Sequence, residues 1–168
     1  MKESQQSYFG TLFNTYFFFA QYANVDGFDF SQPRIPVAER RELDRWIMSK
    51  LNTLIAEVDA VLADYEPHRG VKAMEAFLDE LSNWYVRLSR RVFWKGEMST
   101  EKVAAYQTLY ECLLALSKLM APYAPFYSEK LYGDLNKTTG LEPYESVHLS
   151  QFPTSNPAEI DLGLEQRM

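Results

Sequence analysis

Cysteine is almost absent, with Cys112 the only one in 168 residues. A single thiol closes no internal disulfide and builds no multi-cysteine zinc site, so the composition fits a reducing compartment. Histidine is nearly as scarce. His68 stands beside a helix-starting proline and His148 in a segment expected to be extended, and neither has a neighbour of the kind general-base chemistry needs. Also missing are a glycine-rich phosphate loop, a nucleophile elbow and a histidine-glutamate metal helix. Carboxylates do occur side by side, as at Asp79 and Glu80, but adjacent helical positions point in different directions and make a poor acid/base pair. The expectation is therefore no catalytic residue and no metal site. No signal peptide is visible, and the longest early apolar run, Tyr16 to Ala20, is far too short to cross a bilayer. A soluble cytoplasmic protein without a membrane partner follows as an expectation. Positive charge is short as well: the formal net charge is −6, which excludes a general nucleic-acid-binding surface, because nonspecific affinity comes from neutralising phosphates.

What is present is apolar and periodic. With 46% hydrophobic and 15% aromatic residues, the chain is long enough for one domain with a real core. Apolar residues recur at helical spacing from Tyr8 to Ala23, and Gly27, Pro33 and Pro36 then mark an ordered connection over Asn24 to Glu39. A second helix is expected from about Ala38 to Asp64, and a third from Glu66-Pro67 to Gly96. Asp44 falls in the first turn of the second helix, where it suits the positive end of the helix dipole. Ser99 caps a fourth helix running to Met120, and a stiff turn, Ala121 to Pro125, leads into a fifth over Phe126 to Leu135. Beyond Asn136 the pattern weakens into a loop, an extended stretch at Ser146 to Phe152 and a final helix at Asn156 to Met168. The predicted fold is all-α: a helical bundle of about five helices over residues 1–136, with a less regular tail, residues 137–168, packed on or leaving it.

The densest signal is Leu81 to Gly96, LSNWYVRLSRRVFWKG. At about 100° per residue, Phe77, Leu81, Trp84, Tyr85, Leu88 and Val92 share one side and are expected in the core. Asn83, Arg87, Arg90 and Trp94 then form a second stripe facing away from it. Between Trp84 and Lys95 lie four basic residues and no acidic one, a local basic patch in an acidic chain. Arginine bonds phosphate bidentately, asparagine reads base edges and tryptophan stacks on unpaired bases, so the mixture suits RNA. Two blander readings stand beside this one. The arginines are solvated or paired with Asp79, Glu80 and Glu97 while Trp94 caps the core, or the stripe docks a protein, since arginine and tryptophan also anchor protein interfaces.

Three blocks resemble the isoleucyl-tRNA synthetase family of class I aminoacyl-tRNA synthetases, in the region of its anticodon-binding domain. They are Asn14 to Phe19 continuing through Tyr22 to Phe28, then Leu43-Asp44-Arg45-Trp46-Ile47, then Leu81 to Arg91 with Phe93-Trp94. Ala105 to Tyr110, Met120-Ala121-Pro122, and Ser146 to Leu149 before Phe152-Pro153 are similar too. The similarity covers nearly all of the chain. The family's HIGH and KMSKS signatures, its editing domain and its cysteine-rich zinc region are absent, so the resemblance implies a fragment without cofactor of its own, within a parent that uses ATP and Mg2+. It implies recognition of the anticodon stem-loop of tRNA(Ile), as a monomer beside the catalytic and C-terminal domains of the same chain. Asn83, Arg87, Arg90, Arg91, Trp94 and Lys95 are the candidate RNA-binding residues. Arg87, Arg90 and Lys95 would neutralise phosphates, Asn83 would bond a base or sugar, and Trp94 would stack on a loop base. Many relatives carry a basic residue where Val92 stands, which implies a patch one charge lighter here.

Overall fold

The computed structural model describes the backbone of residues 2–168 and the side chains of residues 8–137 and 139–168. It is all helix and turn, with no strand among the described residues. The long rods are α1 (Lys2–Asp26), α2 (Glu42–Ala63), a third made of α3 (Pro67–Asp79), a π-helical segment (Glu80–Val86) and α4 (Arg87–Phe93), then α5 (Thr100–Met120) and α6 (Pro125–Thr139). A short α7 (Leu162–Arg167) ends the tail. The bundle expected from periodicity is therefore the fold.

Helix α5 is its axis. Every residue from Lys102 to Tyr110 is buried, and α1, α2, α4 and α6 pack around it. Start signals act where the sequence places them. Ser99 accepts a hydrogen bond from the Lys102 N–H, and Pro67 and Pro125 occupy first turns. Gly70, next to the start of α3, has a packing reason to be glycine: a Cβ there would collide with the Tyr123 hydroxyl. The connection after α1 is ordered as expected. Gln107 bonds the Pro33 carbonyl and the Ile35 N–H, while buried Arg40 donates to the Ile35 carbonyl, Thr108 and Glu111.

Several boundaries differ from expectation: α4 stops at Phe93 short of Gly96, and α6 runs on past Leu135 to Thr139. Val37–Glu39 is a separate 3-10 turn, and α2 starts only at Glu42, because Arg40 adopts an extended backbone that carries its guanidinium inward. In the tail, Ser146 to Phe152 is not one extended stretch: Ser146 and Ser150 have extended backbone on either side of a turn. Its Ser146 hydroxyl caps a 3-10 turn at Val147–Leu149, and Glu129 accepts from both Ser146 and the Val147 N–H. The last segment divides into a 3-10 turn, Pro157–Glu159, and α7, since Asn156 and Asp161 each cap their own start. The tail lies against α2. The Asn156 N–H donates to Asn52 at 2.7 Å and the Asp161 N–H to Ser49 at 2.8 Å, while Ser49 and Thr53 both donate to Glu165 and Leu164 is buried.

Helix α2 ends in a Schellman arrangement. The Tyr65 N–H reaches the Leu62 carbonyl and the Glu66 N–H the Val61 carbonyl, with Tyr65 left-handed at φ 58°. Glycine is the usual residue there, and the Tyr65 ring is 91% exposed. A left-handed non-glycine residue costs about 1–2 kcal/mol, against about 0.5–1 kcal/mol for glycine's larger unfolded-state entropy. Tyr65→Gly is therefore expected to stabilise the domain by up to about 1 kcal/mol, about 2–4 °C in thermal midpoint, read by calorimetry.

Candidate nucleic-acid interface

The rod from Pro67 to Phe93 does not keep a single phase. A π segment spans Glu80–Val86, and one residue accommodated beyond the α count rotates everything downstream by about 100°. Phe77, Leu81 and Tyr85 are buried as the 3.6 count predicts, and Val92, beyond the shift, is buried beside Phe93. Trp84 and Leu88 are not: each is 52% exposed, and Ser89 and Phe93 take the inward places that follow Tyr85. The expectation that Trp84 and Leu88 lie in the core is corrected by this phase shift.

A buried carboxylate holds the new phase. Asp44 is 0% exposed, and its oxygens accept from Arg41 at 2.8 and 2.7 Å and from the Tyr85 hydroxyl at 2.7 Å. Arg41 also donates to Ser89 at 3.2 Å. Tyr85 and Ser89 are four positions apart, hence neighbours on one helix face. Burial, then the Asp44 charge, pushes the Tyr85 hydroxyl well above its ordinary value, so it stays protonated as a donor. Asp44 thus has a structural role in the interior, not a place at a ligand.

With that face turned inward, all six expected residues stand exposed: Asn83, Arg87, Arg90, Arg91, Trp94 and Lys95. Their surroundings differ. Asn83 donates to Asp79 at 2.6 Å, and Lys95 pairs with Glu101 at 3.0 Å. The Trp94 indole N–H donates to the Tyr22 hydroxyl at 2.7 Å while the residue remains 62% exposed, so its N–H edge is anchored at the surface. Arg87, Arg90 and Arg91 make no ion pair or side-chain hydrogen bond among the described residues. Asp79 and Glu80 do not engage these arginines, because Asp79 takes Asn83 and Glu80 takes Lys50 at 3.0 Å. Val92 is 6% exposed, so its lack of charge takes nothing from the outward face. Trp84 and Leu88 are exposed on this rod as well and escaped the sequence reading. The available signal was polar Ser89, which fits an inward place only opposite Arg41.

Other chemistry is thin among the described residues. No group of three or more His, Cys, Asp or Glu side chains is placed to hold a metal ion. Cys112 is fully buried, which pushes its thiol up and away from thiolate chemistry. No helix is long and apolar enough to cross a membrane.

The Asp44 cluster makes a stability prediction. Tyr85→Phe removes one donor from a buried carboxylate and should cost about 1–3 kcal/mol. Asp44→Ala leaves the Tyr85 hydroxyl only the Ala105 carbonyl at 3.3 Å and Arg41 only Ser89 and the 3.8 Å pair with Glu101, and should cost about 3 kcal/mol. Urea unfolding followed by circular dichroism measures both.

Comparison with known proteins gives the family. The family described as the anticodon-binding domain of tRNA ligase matches residues 44–168. An isoleucine–tRNA ligase of Cytophaga hutchinsonii is 54% identical over 167 residues, covering 99% of this chain and 15% of that protein. The enzyme of the same name from Porphyromonas gingivalis is 56% identical over 169 residues, covering 100% and 14%. That from Thermus thermophilus is 41% identical over 169 residues, covering 100% and 16%. The chain thus spans about 15% of the length of these curated relatives. A family match over that much of an all-α bundle with an outward arginine and tryptophan face has one meaning: the chain belongs to the anticodon-binding domains of tRNA ligases.

Proposed function

We propose that this chain is the anticodon-binding domain of an isoleucine–tRNA ligase, and that it holds the anticodon stem-loop of tRNA(Ile) on the outward face of Asn83 to Lys95. The observation that carries this reading is three exposed guanidinium groups within five positions, Arg87, Arg90 and Arg91, without ion pairs among the described residues and flanked by exposed indoles, in a chain of net charge −6. Such a face attracts a polyanion locally where the whole chain does not. Arg87, Arg90 and Arg91 take phosphates, and Lys95 does so after exchanging Glu101. Asn83 turns from Asp79 to a base or sugar, and Trp94 stacks on a loop base while Tyr22 holds its N–H.

In this reading the chain carries no catalytic residue. ATP, Mg2+ and any structural zinc belong to other parts of a longer polypeptide, which activate isoleucine and transfer it to the tRNA. The catalytic and C-terminal domains of that polypeptide are the other partners, and the protein is a cytoplasmic monomer. A second reading, a non-catalytic helical protein-interaction or scaffold module, is favoured by one feature, the exposed Leu88 beside Trp84.

A binding titration against an isoleucine tRNA transcript at several salt concentrations separates the two. Arg87→Ala is expected to weaken binding and to reduce the salt slope by about one for the lost phosphate contact. A changed-anticodon transcript should bind more weakly. Equal binding of both transcripts, or a titration unmoved by Arg87→Ala, would exclude this face as an anticodon site and favour the protein interface.

A further inference from the structure

The π segment is an irregularity that costs a helix some of its hydrogen-bond geometry, and such segments are frequent at functional sites. Its consequence here is specific. In an uninterrupted α phase Trp84 would be core; in this fold it is 52% exposed, one turn from Leu88, which is equally exposed. Arg87 and Arg91 lie three and seven positions further along the same rod, without ion pairs among the described residues. The acids one turn upstream are engaged elsewhere, Glu80 with Lys50 and Asp79 with Asn83. A half-exposed indole bordered by guanidinium groups that make no ion pair among the described residues is a poor seat for an apolar peptide, which leaves the arginines without counter-charge. It is a good seat for a nucleotide, whose base stacks and whose phosphates supply that charge.

We infer that Trp84, supported by Leu88, is a base-stacking platform of the RNA site, with Arg87 and Arg91 holding phosphates beside the stacked nucleotide. The inference rests on the RNA reading above and adds to it a residue that the helical count assigns to the core. Trp84 and Trp94 are ten positions apart, about 15 Å along a helix, so the two indoles receive bases from separate points of one loop. The ligand class is a single-stranded RNA loop, because stacking needs a base out of its duplex.

The test is fluorescence anisotropy of a labelled tRNA(Ile) anticodon stem-loop titrated with this chain and its variants, with circular dichroism confirming each fold. Trp84→Ala should weaken binding about tenfold and Trp84→Phe much less, with the salt slope unchanged in both because no phosphate contact is lost. Arg87→Ala, run alongside, should lower the slope. In stem-loops with one abasic nucleotide at each loop position in turn, a single position should reproduce the tenfold loss, and Trp84→Ala should weaken that RNA no further. Wild-type affinity in Trp84→Ala, with Arg87→Ala still impaired, overturns the stacking role and leaves the RNA site intact. Additive losses at every abasic position overturn it as well. No saturable binding by the wild-type chain, or affinity unmoved by both variants, overturns the RNA site and the platform together.

Discussion

A carboxylate without solvent determines which way the third rod faces. Asp44 is 0% exposed, and an ionised group in such a place needs donors around it. Two come from Arg41, the residue just before its helix, and the third comes across the bundle from Tyr85. Tyr85 turns inward to supply it, Ser89 follows one turn later to meet Arg41, and Trp84, Arg87, Leu88 and Arg91 are left to the solvent. The interior thus sets the composition of the exterior through one geometric requirement. The π segment is the local distortion that lets the upstream half of the rod keep Phe77 and Leu81 in the core at the same time.

The downstream end of the same face is fixed by a second polar cluster. Lys102, 1% exposed, pairs with Asp26 at 2.6 Å and donates to the Lys95 carbonyl. Tyr106 adds a hydrogen bond to Asp26, and burial, then that bond, keeps its hydroxyl protonated as the donor. Phe93 packs against Phe18 and Tyr106 between these groups, and Trp94 hangs from Tyr22. The face therefore lies between two anchored ends, with Asn83 to Arg91 on a helical rod and Trp94 and Lys95 just past its end, the kind of support that holds a binding constellation in place before its ligand arrives.

Much of this was legible in the sequence, and the misses share a cause. Helix positions followed from apolar spacing, and Ser99, Pro67 and Pro125 marked starts because their chemistry is local. The outward stripe at Asn83, Arg87, Arg90, Arg91, Trp94 and Lys95 could be read because charges and exposed indoles do not fill cores. Trp84 and Leu88 could not, since the 3.6 count holds only while the helix stays α, and what broke it was a carboxylate 36 or more positions away in the chain. The tail misled for a similar reason: Ser146, Asn156 and Asp161 cap turns whose partners, Glu129, Asn52 and Ser49, lie on other helices. The reading of the face as an anticodon site came from resemblance, because charge and aromatic spacing alone fit RNA and protein alike.

The attachment of the tail to α2 has a consequence for the order of folding. Its bonds join Ser49, Asn52 and Thr53 to partners 103 to 116 positions later in the chain, whereas Tyr85 meets Asp44 across 41. Closing so long a loop is repaid only once α2 offers its polar row already formed, so these contacts come late. They are also few and polar, with Leu164 the only fully apolar anchor of α7. Residues 155–168 are thus expected to open before the bundle does, with their amide protons exchanging ahead of those of α5.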